Sequence, residues 1–151
     1  MERRNSKHME TDWNKYVGIP FKHLGINPDK GLDCFNLIKY VYKQELDIEI
    51  PYTTRTFCNI IDENWYRSTH ERYFDDSLAG IRGWERTETL EPFVAITMMM
   101  GSSSTTNHCA LYIGNNKILH SLQNHSSNIT NYGSYYKQYT MGIYKWVGIK
   151  T

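Results

Sequence analysis

Residues 31–38, with the sequence Gly-Leu-Asp-Cys-Phe-Asn-Leu-Ile, decide the fold that the chain is expected to adopt. Apolar residues recur from there at the spacing of one helix face, at Leu37, Ile38, Val41, Tyr42 and Leu46. Asp33 stands directly before this pattern, and an aspartate side chain can cap the free N–H groups of a helix's first turn. The sequence therefore predicts a helix that begins at Cys34 and has ended by Pro51.

Cys34 occupies the first turn of this predicted helix, where the unpaired N–H groups and the helix dipole favour negative charge. A cysteine there is stabilised as a thiolate and becomes a better nucleophile. The alternative is a structural cysteine, because free cysteines are among the most buried residue types. The chain has three widely spaced cysteines, Cys34, Cys58 and Cys109, and no Cys-x-x-Cys pair. Neither a disulfide framework nor a structural zinc site is therefore expected.

Two histidines lie in a predicted β-hairpin, in which residues 108–113 and 117–122 flank the turn 114–116. A loop of odd length places His108 and His120 on one face of the hairpin, whereas a two-residue loop places them on opposite faces. On one face, His108 is a candidate base for a thiol and His120 a candidate partner that orients it. Two alternatives stay open: ordinary strand histidines, and a zinc site made of His108, His120 and Cys34. Cys109 points to the other face, so we expect it to be neutral for chemistry.

The remaining pattern changes from helical to extended along the chain. A second helix is predicted over residues 57–66 with Thr54 as its cap, and an irregular segment over residues 67–90. The apolar run 93–100 and the closing run 141–149 predict strands, while residues 123–138 are rich in Asn, Ser and Tyr. Helices followed by strands indicate an α+β fold with an antiparallel sheet. Residues 1–10 are expected to be a flexible arm, and residues 11–151 a single domain.

Two segments together resemble the nucleophile and base motifs of NlpC-type cell-wall peptidases, which are papain-like cysteine peptidases. The first comprises residues 18–25 and 31–38, and the second is Asn-His-Cys-Ala-Leu-Tyr-Ile-Gly-Asn-Asn-Lys-Ile-Leu-His-Ser at residues 107–121. The family places a third polar residue, often histidine, twelve positions after the base, as His120 follows His108. Asp-Cys-Phe-Asn-Leu and Asn-His are most similar to the tailed-phage tail-tip members. The resemblance implies a papain-like α+β fold in which the nucleophile helix packs on a central antiparallel sheet.

The same resemblance implies the chemistry. Cys34 would attack amide bonds of peptidoglycan stem peptides, His108 would be its base, and His120 would orient the base. Phe21 stands where the family has a tyrosine whose hydroxyl helps to bind the oxyanion, so the Cys34 N–H and His23 are the candidate oxyanion donors. Asn36 replaces a family glycine in the first helical turn, and residues 92–93, Pro-Phe, replace Gly-Asp, where we expect a change in a turn.

Composition limits the possible partners. The net charge of +1 argues against duplex nucleic acid as a ligand. There is no apolar stretch of the about 20 residues that a membrane span needs, and the N-terminus lacks the apolar core of a signal peptide. The resemblance to the phage tail-tip members implies a virion protein that contacts the stem peptide and other phage tail-tip proteins and needs no cofactor or metal. The lack of a signal peptide agrees with a virion protein made in the host cytoplasm.

Two other functions are compatible with these observations. One is a structural tail-tip plug with weak or no activity, in which the apolar run Met98–Met100 packs on a partner. The other is an intracellular thiol amidase or acyltransferase of the same superfamily that has no connection with phage.

Overall fold

The structure is a computed structural model that describes residues 11–54, 83–100, 108–122 and 124–149. The predicted helix over residues 57–66 and the loop 101–106 lie outside these ranges, as does the arm 1–10. The described elements, in chain order, are a 3₁₀ turn Trp13–Tyr16, strands β1 (Ile26–Asn27) and β2 (Gly31–Leu32), helix α1 (Cys34–Val41) with a π-helical continuation Tyr42–Leu46, strands β3 (Trp84–Arg86), β4 (Ala95–Met98), β5 (His108–Gly114), β6 (Lys117–His120) and β7 (Asn128–Asn131), helix α2 (Ser134–Lys137), and strand β8 (Thr140–Trp146).

Helix α1 begins where the sequence predicts. Asp33 is its N-cap, and the carboxylate of Asp33 accepts a 2.8 Å hydrogen bond from the Asn36 N–H. The π-helical continuation ends at Asp47, whose φ of 53° is left-handed. The prediction of a helix that opens at Cys34 and stops before Pro51 is therefore confirmed.

Strands β3 to β8 form one six-stranded sheet in the order β3-β8-β4-β5-β6-β7. Every neighbouring pair in this sheet is antiparallel. The fold is therefore α+β with a central antiparallel sheet, as predicted. Helix α1 packs against β5, which places the start of the helix near the strand that carries His108.

The sheet has a core on each face. On the helix side, α1 buries Leu37, Ile38 and Val41 against side chains such as Cys109 and Leu111. The second core is formed by side chains of the opposite face, among them Ile96, Met98, Ala110, Tyr112 and Ile118. Met98 is fully buried there, so its side chain is not available to a partner.

Besides the short elements that precede α1, strands β3 and β7 and helix α2 were not predicted. Strand β3 lies within the segment 67–90 that was expected to be irregular, and β7 and α2 lie within the polar segment 123–138. Strand β3 has only three residues, of which Trp84 is buried and the other two are exposed. Strand β7 is at the sheet edge and has no fully buried residue. Edge strands that are short or polar lack the apolar alternation from which strands are recognised.

The segment before β1 is tied to both the helix and the sheet. Tyr16 donates its hydroxyl to the Glu45 carboxylate, and the Lys15 ammonium lies 2.8 Å from the same carboxylate. Ser127 is buried, and its hydroxyl donates to the Tyr16 carbonyl at 2.6 Å and accepts from the Ile19 N–H at 2.9 Å. These bonds hold the turn-rich segment that leads to Cys34 in place.

Candidate active site

The two predicted histidines form a hydrogen-bonded pair. Nε2 of His108 lies 2.9 Å from Nδ1 of His120, with ring centroids 5.1 Å apart. His108 is 4% exposed and His120 2% exposed. A buried imidazole pair at this distance has one ring donating and the other accepting. The geometry matches that of a base with an orienting partner on its second nitrogen.

The hairpin brings the histidines to one face by means of a bulge. Asn115 and Asn116 have φ values of 53° and 59°, as in a two-residue type I′ turn. Such a turn alone would place the histidines on opposite faces. Ile113 is an extra residue in β5, because the pairing shifts from Tyr112–Ile118 to Gly114–Lys117. Because of this shift, His108 and His120 lie on the same face of the hairpin. His120 is the diagonal neighbour of His108 across the β5–β6 pair.

Cys34 lies beside strand β5, which carries His108. It is 5% exposed at the start of α1, and its thiol is hydrogen-bonded to Cys109, the residue after His108. Burial, followed by the hydrogen bond to Cys34, raises the pKa of the Cys109 thiol well above its usual value. Cys109 does point away from the His108 face, as predicted, but this orientation brings it onto Cys34. A substitution of Cys109 is therefore expected to affect the thiol of Cys34, contrary to the expectation that Cys109 is neutral for chemistry.

Helix α1 and the two histidines belong to opposite faces of the sheet. Helix α1 packs on the sheet face of Cys109, whereas His108 and His120 belong to the face of the second core. His108 is the first residue of β5 and so lies at the end of the strand. The charge of Cys34 acts on the pKa of His120, so Cys34 lies within electrostatic range of the histidine pair.

His120 is held in its neutral form. Burial and then the charge of His108 lower the pKa of His120 to about 3, against a smaller opposing effect of Cys34. Its Nε2 lies 3.0 Å from the Thr130 hydroxyl, and the Tyr136 ring packs edge-on against its imidazole at 5.1 Å. Thr130 and Tyr136 were missed because they lie in β7 and α2, which the sequence pattern did not reveal. The register of β7 on β6, in which Thr130 stands opposite Ile118, places Thr130 on the His120 face.

Comparison with known proteins identifies the family of the chain. The family model described as the NlpC/P60 family matches residues 18–145. The chain belongs to the NlpC/P60 family. Murein DD-endopeptidase MepH of Escherichia coli (strain K12) is 29% identical over 105 residues, which cover 70% of this chain and 32% of that protein. Gamma-DL-glutamyl hydrolase of Bacillus subtilis (strain 168) is 43% identical over 37 residues, 24% of this chain and 9% of that protein.

A solved structure supports the fold. An NlpC/P60 family protein from Bacillus cereus ATCC 10987 superposes with a TM-score of 0.58 at 19% identity, covering 95% of this chain and 40% of the other. The chain thus has the papain-like α+β fold of the NlpC/P60 proteins. It spans about a third of the length of the E. coli relative and about a tenth of that of the B. subtilis relative.

Asn36 links three segments around the start of helix α1. Its Nδ2 donates to the Gly25 carbonyl at 2.8 Å, and its Oδ1 accepts from the Thr54 N–H at 3.2 Å. The Thr54 hydroxyl donates to Asp33 at 2.9 Å, so Thr54 contacts the cap of α1. The Asn36 side chain therefore adds hydrogen bonds to the first turn of α1.

The candidate oxyanion residues lie on the segment that precedes the helix. Phe21 is half-buried and forms a parallel bridge with Leu32, two residues before Cys34. His23 is half-buried in the adjacent turn, which the Gly25 N–H closes by donating to the Lys22 carbonyl at 2.8 Å. An oxyanion role for His23 and for the Cys34 N–H stays a prediction. The Pro92-Phe93 change does lie in a turn, where the Val94 N–H donates to the Glu91 carbonyl.

Two further predictions concern metals and membranes. Among the described residues, no group of three or more His, Cys, Asp or Glu side chains is arranged to hold a metal ion. The described helices are also too short and too polar for any of them to cross a membrane.

Cys58, the third cysteine, lies outside the part of the chain that the structure describes.

Proposed function

We propose that this chain is a phage-tail-associated cysteine endopeptidase that hydrolyses amide bonds in peptidoglycan stem peptides. The observation that carries the proposal is the buried His108–His120 pair at 2.9 Å, with Cys34 in the first turn of helix α1 close enough for its charge to act on His120. Membership of the NlpC/P60 family supports it, as does the similarity to a protein named as a murein endopeptidase.

The proposed reaction uses three side chains in sequence. The Cys34 thiolate attacks the amide carbonyl, after its proton has passed to Nδ1 of His108. His108 then carries a proton on each nitrogen, and its Nε2–H donates to Nδ1 of His120. His108 returns the first proton to the leaving amine, and water hydrolyses the thioester to release the acid. The Cys34 N–H and His23 are the proposed donors to the oxyanion.

The neutral state of His120 is essential to this arrangement. A positively charged His120 would repel the imidazolium of His108 and would offer it no lone pair. Burial keeps the pKa of His120 near 3, so the ring stays a hydrogen-bond acceptor throughout the neutral pH range. The start of α1 contributes as well, because the helix dipole stabilises the thiolate form of Cys34.

The test is release of peptides from purified sacculi, with fragments identified by mass spectrometry. The parent protein and His125→Ala, which changes an exposed histidine, are expected to release the same fragments. Cys34→Ala is expected to release none while it keeps the parent's melting temperature. Equal digestion by Cys34→Ala would refute the peptidase proposal. Failure of all variants to digest sacculi would favour the structural tail-tip plug.

The association with a phage particle has a separate test. Mass spectrometry of purified virions is expected to detect this chain together with tail proteins. Its absence from virions, with the active protein free in the cytosol, would favour the intracellular thiol amidase or acyltransferase.

A further inference from the structure

The row of interacting side chains at the site, Cys34, His108 and His120, continues to a fourth side chain, Thr130. The Thr130 hydroxyl lies 3.0 Å from Nε2 of His120. Thr130 belongs to β7, which pairs with β6, and it stands opposite Ile118, two residues before His120. It is therefore the diagonal neighbour of His120 on the same sheet face. Both nitrogens of His120 are thus engaged, one by His108 and the other by Thr130.

We propose that Thr130 is a positioning residue that fixes His120 in the tautomer with its proton on Nε2. The proposal rests on the proposed function, since it concerns how the base His108 is held. The observation behind it is the pair of hydrogen bonds that connect His108 to His120 and His120 to the Thr130 hydroxyl.

The tautomer follows from counting protons along these two hydrogen bonds. A neutral imidazole has one N–H donor and one bare nitrogen that accepts. When His108 has taken the thiol proton, its Nε2–H needs an acceptor, which is the bare Nδ1 of His120. The proton of His120 is then on Nε2 and is donated to the Thr130 oxygen. The opposite tautomer would set two N–H groups against each other between the rings.

Burial makes the threonine oxygen hard to replace. His120 is 2% exposed, so little solvent reaches its ring to accept the Nε2 proton instead. The Tyr136 ring packs edge-on against the imidazole, at an interplanar angle of 89°. A buried donor left without an acceptor is unfavourable, so loss of the Thr130 oxygen favours the other tautomer or a rotated ring. Either change removes the acceptor that His108 needs as an imidazolium.

The variants separate this role from packing. Thr130→Val keeps the shape of the side chain and removes the oxygen, whereas Thr130→Ser keeps the oxygen and removes a methyl group. Thr130→Ala, which also lacks the oxygen, is measured as well. The oxygen-free variant that keeps the parent's melting temperature is then compared with Thr130→Ser. Thr89→Val is the matched control, because Thr89 is exposed.

Two readouts test the proposal without any peptidase assay. The first is ¹⁵N NMR of the histidine rings, which shows which nitrogen of His120 carries the proton. The second is the rate at which iodoacetamide alkylates Cys34, as a function of pH. We expect Thr130→Val to lose the Nε2–H form of His120 and to slow alkylation near neutral pH by about tenfold, the effect of one lost buried hydrogen bond. Thr130→Ser and Thr89→Val are expected to keep both parental properties.

The outcomes keep this inference distinct from the proposed function. A folded Thr130→Val protein with the parental tautomer and alkylation profile would overturn the inference. Alkylation that is equally slow in Thr130→Ser and Thr130→Val would also overturn it, because the effect would then be one of packing. If the tautomer changes as expected but the parent digests no sacculi, the positioning role stands and the peptidase proposal fails.

Discussion

At the scale of single residues, His120 links the site to the stability of the whole fold. Its pKa is about 3 in the folded protein, mainly because it is buried, and about 6.5 when unfolded. The unfolded chain therefore binds a proton below pH 6.5 that the folded chain does not take up until about pH 3. We expect the free energy of unfolding to be highest above pH 6.5 and to fall as the pH decreases toward 3.

This prediction is measured by urea unfolding between pH 7.5 and 5, above the range where most carboxylates titrate. His120→Gln removes the titrating ring and is expected to flatten the pH dependence in that window. His125→Ala is the control, since an exposed histidine is expected to leave the slope unchanged. An identical slope in the parent and in His120→Gln would show that His120 is not the group responsible.

Asn36 is expected to contribute to stability. Asn36→Ala removes the bonds to the Gly25 carbonyl and to the Thr54 N–H, and leaves two buried backbone groups unsatisfied. The free energy of unfolding should fall by about 2–4 kcal/mol, from two hydrogen bonds at about 1–2 kcal/mol each. Urea unfolding measures the loss, with the exposed residue Asn128 changed to Ala as the control. A loss no larger than that of Asn128→Ala would contradict this role.

The sequence was sufficient to propose the site residues that carry a motif. The cap before Cys34 and the predicted hairpin of His108 and His120 made them candidates, and the resemblance to NlpC-type peptidases linked them. Thr130 could not be identified in this way, because a threonine in a polar edge strand has no pattern of its own. The contact between Cys34 and Cys109 was also missed, since it depends on which sheet face the helix covers, and hairpin alternation does not specify that face.

At the scale of elements, we expect the free energy of unfolding to depend on which residue occupies the hairpin turn. Asn116 has a φ of 59°, a left-handed conformation that glycine adopts freely and β-branched residues adopt poorly. Asn116→Val is therefore expected to lower the free energy of unfolding by about 1–2 kcal/mol. Asn116→Gly should leave it unchanged or slightly higher.

Thermal and urea unfolding of the two variants measure this effect. The Asn116 N–H donates to the Tyr112 hydroxyl at 2.9 Å through the backbone, which both substitutions keep. The comparison therefore isolates the conformational cost of the turn. Equal stability of Asn116→Val and Asn116→Gly would show that the turn does not need a left-handed residue.

The elements that were predicted share a strong local signal. Helix α1 has a cap and a regular apolar face, and the hairpin has turn residues between apolar strands. Whether His108 and His120 share a face of the hairpin depends, however, on the bulge at Ile113. The sequence spacing alone left this question open. Strands β3 and β7 depend on partners distant in sequence, so their short or polar sequences did not reveal them.

At the scale of the whole molecule, we expect activity to be independent of bound metal. His108 and Thr130 engage the two nitrogens of His120, so that ring has no lone pair available for a metal ion in this arrangement. Sacculus digestion should be the same before and after dialysis against EDTA. Loss of activity in EDTA with recovery on addition of zinc would support the zinc site of Cys34, His108 and His120 instead.

The central claim is that Cys34 and His108 act as one catalytic unit, and the most direct test is a double-mutant comparison. Initial rates of peptide release from sacculi are measured for the parent, Cys34→Ala, His108→Ala and the double variant, all shown to be folded. The account predicts that each single variant loses about as much activity as the double variant, because the thiol and its base depend on each other. Parental activity in Cys34→Ala, or losses that simply multiply in the double variant, would contradict it.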